Sequence, residues 1–377
     1  MSSTDPTDDL PEDEPLLSVK DLEVHFKPGG LIRKLFSDTT IRAVDGVNFE
    51  LEDRDMLVLV GESGSGKTTL GKAAVGLQRP TGGAINYRGQ DIWEAKENPV
   101  ASDIKFNRIR RALQIIHQDP STALNSSRRV EAILRDPLRK WRPELDSEER
   151  LETIYRYLEF VDMVPPDDYA NRYPHQLSGG EKQRVVLGRA LLINPDVILA
   201  DEAVSALDVS LRVDMMDLIL ELQEMFDTSY LFISHDLANA RYLAKRAGGR
   251  IAVMYLGKIV EIGTPEEILN NPSHPYTEVL RWSTPSIHPE VAAEEISDTP
   301  PVRALDVPDA SDPPSGCSFH PRCMYARDVC TRETPELQEG DSTQARCFRT
   351  DDDHEYWSSP ALEDEEEFGI ARIVSDD

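Results

Sequence analysis

Cysteine is absent from the first 316 of 377 residues, and all four cysteines fall between Cys317 and Cys347. A chain so poor in thiols is not a disulfide-stapled secreted scaffold. Long apolar runs are missing too. Mean hydropathy is −0.44, and no stretch is long enough to cross a bilayer as a helix. The opening "MSSTDPTDDLPEDEP" lacks the basic patch and apolar run of a secretory signal, so a cytoplasmic placement is expected. Positive charge is scarce: Lys and Arg total 41 against 69 Asp and Glu, the net charge is −28, and only 11 of the 41 are lysine. Such a surface repels nucleic-acid phosphate on average, which counts against wrapping DNA or RNA. At molar salt the Debye length falls to about 3 Å and like charges stop repelling. The acidic, lysine-poor composition is therefore read as halophilic adaptation.

The chain length predicts two or three structural units. Residues 1–15 are charged and Pro-rich, the composition of a disordered tail. "LLSVKDLEVHF" and "IRAVDGVNFEL" read as paired strands separated by an insertion at 27–40. Short apolar runs then alternate with helical patterns: "MLVLV", "LQIIH", "DVILA", "YLFIS" and "IAVMYLGKIVEIG". That alternation predicts an α/β fold with a largely parallel sheet covered on both faces. The last run, broken at Gly257, reads as a hairpin at the sheet edge. Residues from about 125 to 192 carry no strand signal and read as an inserted helical subdomain. Residues 285–315 have linker composition, and 351–377 read as an acidic tail.

"VGESGSGKTTL" follows the strand "MLVLV" and precedes an apolar helical pattern, fitting G-x-x-x-x-G-K-[ST] at Gly61, Gly66, Lys67 and Thr68. Glycines let the backbone curl so that successive N–H groups cradle anionic oxygens at a helix N-terminus. The predicted nucleotide-binding stretch comprises Gly61, Ser63, Gly64, Ser65, Gly66, Lys67, Thr68 and Thr69. Lys67 would neutralise the β- and γ-phosphates of ATP, and the Thr68 hydroxyl would ligate Mg²⁺. "DVILADEAVSALD" ends a buried strand in Asp201 and Glu202, at the end of the sheet where ligands of open α/β folds sit. Asp201 suits the Mg²⁺ coordination sphere, and Glu202 suits general-base work on water.

"LSGGEKQRV" contains an S-x-x-E capping box at Ser178 and Glu181, with Gly179 and Gly180 leaving the first N–H groups accessible. Alone it is a well-started helix. Beside the phosphate loop it is a second anion-binding helix start, and one ATP cannot easily use both from one subunit. Here the sequence resembles the ATP-binding subunits of ABC transporters, whose signature motif "LSGGE" contacts the ATP held by the opposite subunit's phosphate loop. The resemblance implies a P-loop NTPase (RecA-like) core over 16–268, with a helical signature subdomain at about 119–192. It assigns Gln118 of "IIHQDP" to the loop linking γ-phosphate and Mg²⁺ to the membrane partner, Asp208 of "SALD" to the D-loop, and His235 of "ISHD" to the switch histidine. Glu202, His235 and Gln118 are the catalytic candidates. Phe26 stands where the family's adenine-stacking aromatic falls, and equally fits a core strand position. Ala203 departs from the family's usual proline, which removes a backbone restraint but no chemical group.

Some members of this family lack membrane partners and act on nucleic acid or ribosomes. Lys67 and Ser178 are only 111 positions apart, without sustained heptads, and there is one nucleotide domain; both features favour a transporter subunit. "RYPHQLSGGEKQRV", "DEAVSALDVS", "NPSHPYTEVL" and "DPPSGCSFHPRC" resemble the ATPases of dipeptide/oligopeptide importers. The implied partners are a second, homologous but distinct ATPase subunit, two transmembrane permease subunits and an extracellular solute-binding protein, with no nucleic acid. The implied location is the cytoplasmic face of the membrane.

From residues alone, C-x5-C-x6-C-x16-C matches neither the usual zinc pairs nor the ferredoxin run, and Zn²⁺ and an iron–sulfur cluster stand level. The resemblance implies a C-terminal extension, 269–350, holding a 4Fe-4S cluster on Cys317, Cys323, Cys330 and Cys347. Such a cluster would staple a segment too short to build its own core.

Overall fold

The computed structural model describes residues 14–27, 40–284, 301–339 and 343–362. The first 13 residues of the expected N-terminal tail, residues 28–39 of the insertion, 285–300 of the linker and the last 15 residues lie outside the described residues. The described chain falls into two compact units, one of residues 14–26 and 42–258, the other of residues 27, 40–41 and those described from Ile259 onward.

The first unit starts with β1 (Leu17–Phe26), β2 (Ile41–Leu51), β3 (Met56–Val60), α1 (Lys67–Ala74), β4 (Gly82–Tyr87) and β5 (Gln90–Asp91). β2, β1, β4 and β5 form one sheet in that order, with β4 antiparallel to β5 and to β1, the latter in the register Val19↔Ile85. The pairing of β1 with β2 agrees with the sequence reading. β4 and β5 were not anticipated, because β4 opens on two glycines, a composition that signals a turn.

The chain continues through α2 (Ile92–Glu97), α3 (Phe106–Ala112) and β6 (Leu113–Ile116) into the helices α4 (Pro120–Ala123), α5 (Val130–Trp141), α6 (Ser147–Phe160), α7 (Pro166–Asn171) and α8 (Gly179–Leu191). Asp146 and Glu149 start α6 with a reciprocal capping box. Tyr157 and Phe160 of α6 form an aromatic cluster with Phe226, the last residue of the helix Val209–Phe226, and Tyr157 donates to Asn194 Oδ1 at 2.8 Å.

β7 (Val197–Asp201), α9 (Val209–Phe226), β8 (Ser229–Ile233), α10 (Leu237–Ala247) and β9 (Arg250–Tyr255) complete the unit. Its main sheet is parallel, in the order β9-β3-β8-β7-β6. Every residue of β3, β7 and β8 is buried, as continuous apolar runs between covering helices must be. Each such Leu, Ile or Val contributes about 1.5–3 kcal/mol by leaving water. An exposed ion pair such as Arg54–Asp227 contributes at most about 1 kcal/mol, so the sheet holds the unit together. α1 lies close on it: a Cβ at Gly71 would meet Leu199 Cδ1 at 2.6 Å and Ile233 Cδ1 at 2.9 Å.

The second unit contains β10 (Lys258–Gly263), whose first residue still belongs to the first unit. α11 (Pro265–Asn270), α12 (Pro275–Ser283), α13 (Asp328–Arg332), β11 (Gln338–Glu339) and β12 (Gln344–Ala345) follow. β10 is not an edge, because β12 pairs with it (Glu261↔Ala345) and β11 pairs with β12. Two stretches read from composition as linker and tail are folded here. Val302 bridges to Cys323, and Arg303 N donates to Arg322 O at 3.0 Å. Residues 351–362 wrap back: Asp328 N donates to Pro360 O, and Tyr356 packs on Val329 and Cys330. A few apolar residues (Val302, Tyr356) suffice to anchor segments whose average composition looks unstructured.

Candidate functional site

β3 delivers the chain to the loop 61–66, and α1 carries it away. Gly66 is the N-cap of α1 at φ 106° and has no side chain to satisfy the first-turn N–H groups. Both conformation and space demand glycine there, since a Cβ would lie 2.0 Å from the Ala43 carbonyl oxygen. Lys67 is buried and donates from Nζ to the carbonyls of Gly61 (2.8 Å) and Glu62 (2.9 Å), with Ser65 Oγ at 3.4 Å. Burial lowers its pKa, while the nearby Glu202, Asp201 and Glu62 charges favour the cation. The ammonium has no direct carboxylate hydrogen bond among the described residues and is parked on neutral oxygens, ready for transfer to an anion. Ser63 and Gly64, at the crest, are exposed.

At the foot of the loop Thr68 Oγ1 donates to Asp201 Oδ1 at 2.9 Å. Burial raises the Asp201 pKa, and the Thr68 hydrogen bond and Lys72 oppose that. One carboxylate and one hydroxyl suit Mg²⁺, which takes its remaining ligands from phosphate and water. Among the described residues no group of three or more His, Cys, Asp or Glu side chains is placed to hold a metal ion, at this site or at the cysteines.

Glu202 follows β7 at φ 51°, a left-handed conformation unusual for glutamate, and its N–H donates to Ile233 O at 3.2 Å. Strain of this kind costs about 1–3 kcal/mol and collects at functional positions. Gln118 Nε2 donates to Glu202 Oε2 at 2.8 Å, and His235 Nδ1 lies 3.4 Å from the same oxygen. Gln118 after β6, Glu202 after β7 and His235 after β8, each following a different one of three adjacent strands, thus meet at one carboxylate oxygen. His117 and Lys72 were missed by sequence reasoning; both act electrostatically on Asp201. Nothing in their spacing announces this.

Ser178 caps α8: its Oγ accepts from Glu181 N at 3.2 Å, and Glu181 Oε2 accepts from Ser178 N at 2.6 Å. Gly179 and Gly180 have ordinary φ. A Cβ at Gly179 would meet nothing within 4 Å, and one at Gly180 only Leu211 Cδ1 at 3.9 Å. Nothing in this chain's own packing requires either glycine. Asp208 caps α9, accepting from Leu211 N at 3.1 Å. Phe26 ends β1 with 40% of its surface exposed, which corrects the core-strand alternative. A cavity of about 300 Å³ opens among β6, α5 and α8, lined among others by Gln114, Ile115, Asn125, Trp141 and Arg189.

In the second unit Cys317, Cys323, Cys330 and Cys347 all line one small cavity of about 20 Å³, with His274 and Phe319. Burial pushes the Cys323 thiol up to about 12 and the Cys347 thiol up to about 11, and raises those of Cys317 and Cys330. His274, buried beside them, accepts from Tyr276 N at Nδ1, and burial followed by the Arg349 charge lowers its pKa to about 3.

A phosphate-binding loop after one strand of a parallel sheet, with Asp and Glu at the end of the strand two places along, defines a P-loop nucleoside triphosphatase. The sequence model for "ABC transporter" matches residues 44–205, and that for "Oligopeptide/dipeptide transporter, C-terminal region" matches 260–330. The chain is 38% identical to the dipeptide transport ATP-binding protein DppF of Escherichia coli, over 90% of this chain and 96% of that one. It is 39% identical to the oligopeptide transport ATP-binding protein AppF of Bacillus subtilis, over 86% and 94%. Among solved structures it resembles the ATP-binding cassette MJ0796 in its dimeric, ADP- and Pi-bound form (TM-score 0.55, 27% identity, 66% of this chain and 98% of that one). The cbiO1 protein of Clostridium perfringens shares the fold (TM-score 0.56, 22% identity, 69% and 92%). The chain belongs to the ATP-binding proteins of ABC transporters, in their dipeptide and oligopeptide branch. It is an ABC-type ATPase.

Proposed function

We propose that this chain is the ATP-hydrolysing subunit of a membrane importer for di- or oligopeptides, working on the cytoplasmic face as a peripheral subunit. The observation that carries the reading is the convergence of Gln118, Glu202 and His235 beside the phosphate loop. Lys67 and the loop N–H groups bind the phosphates, and Phe26 stacks on the adenine. Thr68, Asp201 and Gln118 would hold Mg²⁺, which supplies charge neutralisation at the β- and γ-phosphates. Glu202 accepts the proton of the attacking water, and His235 and Gln118 orient both. Asp208 and the start of α8, Ser178 to Gly180, face the nucleotide of a second, homologous ATPase subunit. ATP then stabilises the closed pair, and its loss releases it.

No helix among the described residues is long and apolar enough to cross a membrane. When the tagged chain is expressed with its permease subunits it should sediment with membranes and bring those subunits through purification. Expressed without them, it should stay in the supernatant. Recovery with ribosomes or nucleic acid instead would overturn the importer reading.

The four thiols would hold a 4Fe-4S cluster, which supplies a staple for a unit whose local core is small. The donor set is all sulfur, and a cubane spreads its cysteines further than one zinc ion gathers them at about 2.3 Å Zn–S. Burial keeps the four thiols protonated, so the free set is uncharged and its protons must leave on loading. Anaerobically purified protein should be brown, with about four irons per chain, and lose the colour in Cys323→Ser. A colourless protein with one zinc would exclude the cluster.

A further inference from the structure

The phosphate loop leans on a second layer of backbone. The Ser65 carbonyl accepts from Gly257 N at 2.9 Å, and the Gly257 carbonyl accepts from Asp45 N at 2.9 Å. Leu256 and Gly257 both have positive φ, 41° and 81°, and a Cβ on Gly257 would stand 2.7 Å from the Arg42 carbonyl oxygen. The turn is thus wedged between β2 and the loop. In a trans peptide the C=O and the following N–H point in opposite directions. Anchoring the Ser65 carbonyl on the turn therefore fixes the direction of the Gly66 N–H, one of the donors of the phosphate cradle.

What holds the turn is a charge cluster. The Asp45 carboxylate is met by Lys258 Nζ at 3.1 Å, His25 Nε2 at 3.3 Å and an Arg42 guanidinium nitrogen at 3.9 Å. Lys258 is the residue after the turn glycine, and His25 precedes Phe26. Side-chain exposure is 18% for Asp45 and 22% for both Lys258 and His25, so water screens these contacts only partly. Burial works to raise the Asp45 pKa, and the Lys258 hydrogen bond and charge, with Arg42 and His25, more than offset it, leaving the carboxyl lowered and ionised.

We propose that Asp45 is a positioning residue for nucleotide binding: paired with Lys258, it clamps the Leu256–Gly257 turn against the Ser65 carbonyl and so sets the phosphate cradle. The inference rests on the reading of loop 61–68 as the ATP site. It is tested on the full chain by MgATP and MgADP titration, and on the assembled transporter by steady-state turnover. Asp45→Ala should weaken both nucleotides and raise KM for ATP by about tenfold, equivalent to about 1.4 kcal/mol, with kcat within about twofold at saturation. Lys258→Met should act in the same direction, and the double variant should be no worse than Asp45→Ala, as coupled partners require. Asp45→Glu should restore most of the affinity. Thermal stability lost with no change in either nucleotide's affinity would overturn the proposal, as would a fall in kcat at constant KM. If Asp45→Ala does not fold, Lys258→Met decides alone, because it leaves Asp45 and its backbone bond in place. A wild-type chain that binds no MgATP would refute the site itself, an outcome distinct from variants that bind as wild type does.

Discussion

Glu202→Gln abolishes turnover while leaving MgATP bound. The substitution keeps size and shape, and an amide oxygen still accepts from Gln118, whose Nε2 now donates to Glu202 Oε2 at 2.8 Å. What disappears is the ability to take a proton from water. General-base assistance is worth on the order of 100- to 10,000-fold, or about 3–5 kcal/mol of barrier. Binding is spared because the phosphates are gripped elsewhere, by Lys67 and the cradle. The check is phosphate release by the assembled transporter, alongside retention of labelled ATP on the same sample. Turnover near the wild-type rate would remove Glu202 from the chemistry.

The second large effect separates stability from function at one residue. Gly179 is exposed, has helical geometry and could carry a Cβ with no contact inside 4 Å. Glycine within a helix costs about 0.5–1 kcal/mol relative to alanine, and a carboxylate near a helix N-terminus gains about 0.3–1 kcal/mol. Gly179→Glu should therefore leave the isolated chain as stable as wild type or slightly more so. In the assembled transporter the same carboxylate would meet a neighbour's triphosphate, and turnover should fall by about a hundredfold or more, the scale of losing an interaction that assembles the reacting groups. Thermal melts and ATPase assays on the two samples check both halves. A stable variant with full turnover would mean that the start of α8 faces nothing.

Much of this site was legible from sequence because its parts are contiguous. The loop 61–69 needs glycines at set places, and the buried run before Asp201 can only be a covered strand. The meeting of Gln118, Glu202 and His235 was not legible from the residues themselves, since it depends on β6, β7 and β8 lying side by side; only the resemblance named all three. The brace at Asp45 escaped for the same reason: its link to Ser65 passes through the backbone of Gly257, and backbone bonds leave no residue-type mark. Composition misled where averages hide anchors. The folded stretch 351–362 is acidic overall, yet Tyr356 is buried and carries it. The cysteine spacing could not choose between metals, because four thiols gather around one cavity only after α13 and the strand β12 have folded.

Everything about the mechanism depends on two chains gripping one ATP. The direct measurement is complex formation, by size and mass, with the second ATPase subunit. In the Glu202→Gln background, MgATP should produce a stable pair that ADP does not, and adding Gly179→Glu should abolish the pair without lowering the melting temperature of the chain. A pair that forms equally well with Gly179→Glu, or forms without nucleotide, would contradict the account.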